Sequence, residues 1–158
     1  MQRIYIETTV VSYLTSRASR DVVIAGHQQI THDWWDHFRG YYELCVSQLV
    51  YQEAAGGDPQ AAQDRMDVLA KMTRLATKEE AVNLAEALVQ AGAVPKKAAS
   101  DALHIALAAV QVAPYLLTWN CRHLANAAMR IRIETVCAEK GLNAPIICTP
   151  EEMMEDEP

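Results

Sequence analysis

The chain has 158 residues, about half of them hydrophobic (51%), and a net charge of −6. That length suits one domain with a proper core. No apolar run reaches the roughly 18 residues of a membrane span, because His104, Gln111 and Pro114 interrupt the best candidate. The final stretch EEMMEDEP carries five acids and no base, so the remainder is close to −1, a balance that neither demands nor forbids a nucleic-acid partner.

In chain order, RIYIE (3–7) reads as a strand with no signal-peptide character. TTVVSYLTS follows with cap residues and helical apolar spacing. RDVVIAGHQQITHDWWDHFRG (20–40) reads as a long amphipathic helix stopped by Gly40. YELCVS (42–47) is a second strand, and SQLVYQEAAGG a helix capped by Ser and ended by paired glycines. DPQAAQDRMDVLAKM has Asp at the cap and Pro at the first helical position. TKEEAVNLAEALVQAG is a further amphipathic helix, with Thr77 as its expected cap and Gly92 at its stop.

PKKAASDALHIALAAVQV is apolar on most sides and is expected to be a buried helix. YLLTW (115–119) fits a strand covered on both faces. A last helix is expected over about 123–140, ended by Gly141 and followed by the strand PIICT. This alternation points to an α/β sandwich around a parallel sheet. Cys45, Cys121, Cys137 and Cys148 show no CxxC pair and no zinc spacing, and are expected to be free, buried thiols of a cytoplasmic protein.

Four polar residues stand where such a sheet gathers its ligands, at the carboxyl ends of the strands. Glu7 closes the first strand, and Asn120 lies just past the strand at 115–119. Glu53 sits late in the helix that follows the second strand, and Asp101 early in the buried helix. Each is set among apolar neighbours, where an unpaired carboxylate is costly. A shared divalent cation compensates that cost, and an all-oxygen set favours Mg²⁺ or Mn²⁺ over zinc. Taken singly, each also has an ordinary structural reading. Asp101 suits the first turn of a helix, Glu7 a solvated strand edge, and Asn120 a turn.

The segments YIETTVVSYL, SQLVYQE, SDALHIALA and YLLTWNCRHL together resemble the PIN domain, and most closely the VapC-type toxins of toxin–antitoxin pairs. The resemblance runs from the first strand to PIICTPEE. It implies a three-layer α/β/α sandwich around a mostly parallel sheet, a single domain over 1–150, and an acidic, solvated tail over 151–158. The family's four metal-holding positions fall on Glu7, Glu53, Asp101 and Asn120. Two of them depart from the pattern: Glu replaces Asp at 7, and Asn replaces Asp at 120, which costs one charge. The resemblance further implies a Mg²⁺- or Mn²⁺-dependent endoribonuclease, silenced by a small antitoxin protein and assembled as a homodimer. A PIN-fold binding protein with weak or no nuclease activity is the alternative within that fold. A phosphoesterase acting on a small substrate is the alternative outside it; no Gly-rich phosphate loop is present for a nucleotide.

Lys96, Lys97 and Arg122 flank the four positions and are the candidate contacts to an RNA backbone. His27, His32 and His37 are spaced by five, which turns each about 140° from the last on a helix. They therefore do not share one metal and are expected to face solvent or a partner. His104 shares a helical face with Asp101 and is expected to be a packed, hydrogen-bonded residue. Trp34, Trp35 and Phe38 read as core or interface anchors.

Overall fold

The computed structural model describes residues 1–155. Five strands carry the sheet: β1 (Gln2–Ile6), β2 (Tyr42–Ser47), β3 (Thr73–Leu75), β4 (Tyr115–Leu117) and β5 (Ile146–Cys148). Their order is β3-β2-β1-β4-β5, and every pairing is parallel. Between them run α1 (Thr8–Thr15), α2 (Val22–Phe38), α3 (Gln48–Ala54), α4 (Pro59–Leu69), α5 (Glu79–Gln90), α6 (Ala99–Val110) and α7 (Ala127–Glu139).

That strand order fixes where the helices go. From β1 the chain steps outward to β2 and β3, then returns past β1 to β4 and β5. Parallel crossovers are right-handed, so a reversal of direction moves the connecting helices to the opposite face of the sheet. The helices accordingly pack as two groups, α1 with α2, α3 and α4, and α5 with α6 and α7. The result is the α/β/α sandwich expected from the sequence. The point of reversal lies between β1 and β4, where strand order creates a crevice at the carboxyl ends.

The core follows from this layering. Ile4, Tyr5 and Ile6 of β1 and Leu116 and Leu117 of β4 are fully buried, as central strands covered on both faces must be. α6 is buried from Ala102 to Ala109 except for part of Leu103, in line with its apolar sequence. Local signals set the helix starts. Asp21, Ser47 and Asp58 each accept a backbone N–H of the first turn of α2, α3 and α4.

Several boundaries differ from the sequence reading. β3 was not expected: it is a three-residue edge strand whose Thr73 and Arg74 are exposed, and so short and polar a stretch carries no apolar alternation. Thr77 does not cap α5; Lys78 occupies that place without a side-chain bond. The last helix starts at Ala127, capped by Asn126, and residues 121–125 form turns instead. Cys45, Cys137 and Cys148 are free and buried, but Cys121 is exposed in that turn. The acidic end is not wholly solvated: Glu151–Met153 form a 3₁₀ turn, and Met153 and Met154 pack against the core. Residues 156–158 lie outside the described part.

The turn from α6 to β4 holds one strained residue. Val112 has φ +56°, a left-handed conformation that a β-branched side chain rarely adopts. The turn is pinned on both sides, since the Gln111 carbonyl accepts from Arg3 and the Gln111 side chain donates to the Ala76 carbonyl. Val112 itself is largely exposed, so its side chain contributes little packing. Val112→Gly should therefore stabilise the fold, by about 1 kcal/mol, measured as an upward shift of the urea midpoint. A downward shift would mean that the turn is not strained.

Candidate functional site

Glu7 is the first residue past β1, and its N–H continues the sheet by donating to the Leu117 carbonyl at 3.0 Å. It is also the N-cap of α1. The longer Glu side chain folds back, so that one oxygen, Oε2, accepts the Thr9 N–H at 3.0 Å. Oε1 accepts two hydroxyls, from Thr9 and, at 2.6 Å, from Thr118. Glu7 is only 4% exposed. Three donors replace the water that this carboxylate has lost, which is what its burial requires.

Thr118 belongs to the extension of β4, with its N–H bonded to the Cys148 carbonyl at 2.9 Å. The pair Glu7–Thr118 thus ties the two central strands together at the crevice. Thr9 reinforces it by accepting the Trp119 N–H at 2.9 Å. Trp119 in turn donates its indole N–H to Thr31 of α2 and stacks on His27 at 4.1 Å between ring centroids. His27 is therefore half-buried against the site's rear wall rather than simply facing solvent.

Glu53 comes from the last turn of α3 and reaches the same crevice. Its Oε1 accepts the Thr8 hydroxyl at 2.6 Å and lies 2.7 Å from His104 Nε2. Ligand atoms of Glu7, Glu53 and His104 all lie within 4.8 Å of one another. Burial pushes the Glu53 carboxyl up, but the hydrogen bond and charge of His104 and the Thr8 hydroxyl outweigh it, and the group titrates below the ordinary glutamate value.

Asp101 stands in the first turn of α6, three residues before His104 and on the same face. Burial pushes its carboxyl above the ordinary range. His104 and His123 pull it back, while the charges of Glu7 and Glu53 raise it further. The charges of Glu7 and Glu53 thus reach Asp101, although its carboxylate is not among the ligand atoms that lie within 4.8 Å of one another. Its Oδ2 lies 3.6 Å from His123 Nδ1, a neighbour that sequence reasoning missed. His123 comes from an irregular turn whose shape no apolar pattern announces.

Asn120 stands just past the end of β4. Its carboxamide oxygen accepts the N–H of Arg122 at 3.2 Å and of His123 at 3.0 Å. As placed, it caps the turn that brings His123 to Asp101. The physical reason is that Asn readily bonds its own backbone two residues on. Arg122 is exposed in this turn, and Lys96 and Lys97 are exposed in the 3₁₀ turn just before α6. None of the three forms an ion pair among the described residues.

The two carboxyl shifts act oppositely on the metal-free fold. Glu53, with its pKa lowered by folding, stabilises above about pH 4.3 and loses that contribution as pH falls through its folded value. Asp101, with its pKa raised, binds its proton more tightly in the fold. Stability therefore drops as pH rises from about 3.9 through the raised value. Asp101→Asn removes that second penalty. In chelator the variant should melt above the wild type at neutral pH, and the gap should close in acid. A gap independent of pH would mean that Asp101 ionisation is not its source.

No family model matches the sequence, and a comparison with curated proteins found no match. Among solved structures, the chain is similar to one from the crystal structure of VapBC2 from Rickettsia felis bound to a DNA fragment from their promoter. The match has a TM-score of 0.58 at 13% identity and covers 94% of this chain and 98% of that one. At that identity the likeness concerns the fold: a PIN-like α/β/α sandwich around a parallel sheet, as the sequence implied.

Proposed function

We propose that the protein is a VapC-like PIN-family ribonuclease, in which Glu7, Glu53 and Asp101 hold one Mg²⁺ or Mn²⁺ and RNA phosphodiester bonds are hydrolysed. The observation that carries this reading is the state of the carboxylate oxygens. Glu7 Oε2 accepts a single bond, while Glu53 Oε2 and Asp101 Oδ1 accept none among the described residues. Each acid therefore keeps an oxygen with lone pairs that no protein group has taken, and Glu7 and Glu53 meet at one crevice of the sheet. Hard carboxylate oxygens suit Mg²⁺ or Mn²⁺. The opposing pulls on Asp101 support the same conclusion, because acids that repel one another gain most from a shared cation.

When bound, such an ion supplies a water of lowered pKa and charge stabilisation at the phosphate. The chain's own groups prepare that place. Thr8, Thr9 and Thr118 hold the Glu7 and Glu53 carboxylates in fixed orientations before any ion arrives. Lys96, Lys97 and Arg122, exposed on the segments that carry Asp101 and Asn120, are suited to meet the RNA backbone by charge alone. The fold's likeness to a VapBC2 chain supports a small antitoxin as protein partner, and we further propose a cytoplasmic homodimer. Among the described residues no helix is long and apolar enough to cross a membrane.

Asn120 favours one competing reading, a PIN-fold binding protein of weak activity, because it brings no charge to the crevice. Incubation of mixed-sequence RNA with the purified protein and Mn²⁺, against a chelated control, separates the two. Cleavage should require the ion, and Asp101→Asn should reduce it to the chelated level while the circular dichroism stays unchanged. RNA binding without cleavage under any divalent ion would select the binding protein.

Asn120→Asp tests the departure itself. One oxygen of the new Asp should keep capping the turn, and the second would stand where the amide nitrogen is now. The added charge should lower the melting temperature in chelator and enlarge the gain on adding Mn²⁺. Calorimetric Mn²⁺ affinity equal to wild type would show that position 120 serves the turn alone.

A further inference from the structure

His104 is wholly buried, and both of its ring nitrogens are engaged. Nδ1 lies 2.7 Å from the Tyr5 hydroxyl, and Nε2 lies 2.7 Å from Glu53 Oε1. The Tyr5 hydroxyl is also 2.7 Å from Ser47 Oγ. A polar chain thus runs Ser47–Tyr5–His104–Glu53, through β2, β1 and α6 to α3. Its first three members are fully buried, and only the Glu53 side chain, 32% exposed, opens to solvent.

The carboxylate end of this chain fixes one proton position. An ionised carboxylate accepts only, so the ring must carry a hydrogen on Nε2. A neutral ring then has its lone pair on Nδ1, which takes the Tyr5 proton, and the Tyr5 oxygen takes the Ser47 proton. Every donor has an acceptor, as a buried network requires. With a hydrogen on Nε2 and Tyr5 against Nδ1, the ring has no lone pair to offer a cation, although it lies among ligand-bearing groups.

We propose that His104, fixed by Tyr5 and Ser47, is a positioning residue that occupies Glu53 Oε1 and so presents Oε2 alone to the divalent ion. This rests on the metal-dependent reading above. A glutamate so exposed would otherwise sample many rotamers or grip an ion with both oxygens. His104 and Thr8 together close Oε1 to it and leave a single-oxygen contact.

Mn²⁺ calorimetry on the full chain tests this with His104→Leu, His104→Gln, Tyr5→Phe and Asp101→Asn, each checked for folding by melting in chelator. Leu fills the space without a donor, whereas the Gln amide nitrogen stands near the place of Nε2 and still donates to Glu53. His104→Leu should weaken Mn²⁺ binding about 10–100-fold, and His104→Gln should restore most of it; a purely structural role would not distinguish them. Tyr5→Phe, which keeps the ring but loosens it, should give a smaller loss in the same direction and stands in if the Leu variant does not fold. Imidazole ¹⁵N NMR of the metal-free protein should show a hydrogen on His104 Nε2. A ring without that hydrogen overturns the inference, as does wild-type Mn²⁺ affinity in His104→Leu or, should that variant not fold, in Tyr5→Phe. If Asp101→Asn loses Mn²⁺ in that case, the metal site itself survives. A wild-type protein that binds no Mn²⁺ overturns both.

Discussion

A carboxylate that is 4% exposed must be given replacements for the water it has lost, and the centre of this protein is arranged around that requirement at Glu7. Its donors come from α1 and from the extension of β4. Meeting its needs therefore joins the two central strands where the sheet reverses direction. Thr9 serves twice, donating to Glu7 and accepting the Trp119 N–H, so the register of β4 beside β1 and the orientation of the carboxylate are set by the same few atoms. The residue at position 7 is thus strand end, helix cap and acid together.

Around that anchor, the remaining acids are held by different means. Glu53 is stabilised in its charged form by a histidine and a threonine, whereas burial and two like charges disfavour ionisation of Asp101. One crevice thus contains an acid eased into ionisation beside one that resists it. The contrast is electrostatic, and it exists because α3 delivers its acid at a helix end with two donors bonded to it, while α6 delivers its acid at the top of an apolar helix, where His104 and His123 act on it only by charge.

Much of this was legible in the sequence, for physical reasons. Glu7, Glu53 and Asp101 stand out because each interrupts or ends an apolar segment, and burying a charge there demands compensation. The parallel sheet was legible from apolar runs alternating with capped amphipathic stretches. What escaped notice depends on tertiary arrangement. Edge strand β3 is held by its pairing with β2 rather than by its own polar residues. His123 reaches Asp101 only through a turn that Asn120 builds. Asn120 was read for its oxygen, and what the sequence does not show is that two backbone amides bond that oxygen.

The seam between β1 and β4 has a consequence for how the molecule comes into being. Its defining contacts join residues far apart in the chain: Glu7 with Thr118 across 111 positions, and Tyr5 with His104 across 99. Loops of that length close slowly, and contacts of such high order form late. During synthesis, which proceeds from the N-terminus, β1, α1 and α3 are complete long before their counterparts exist. Until then Glu7 lacks the Thr118 hydroxyl and Glu53 lacks the His104 ring. The crevice belongs to the finished molecule, and a nascent or truncated chain that ends before β4 carries two of its acids without the architecture that makes them a site.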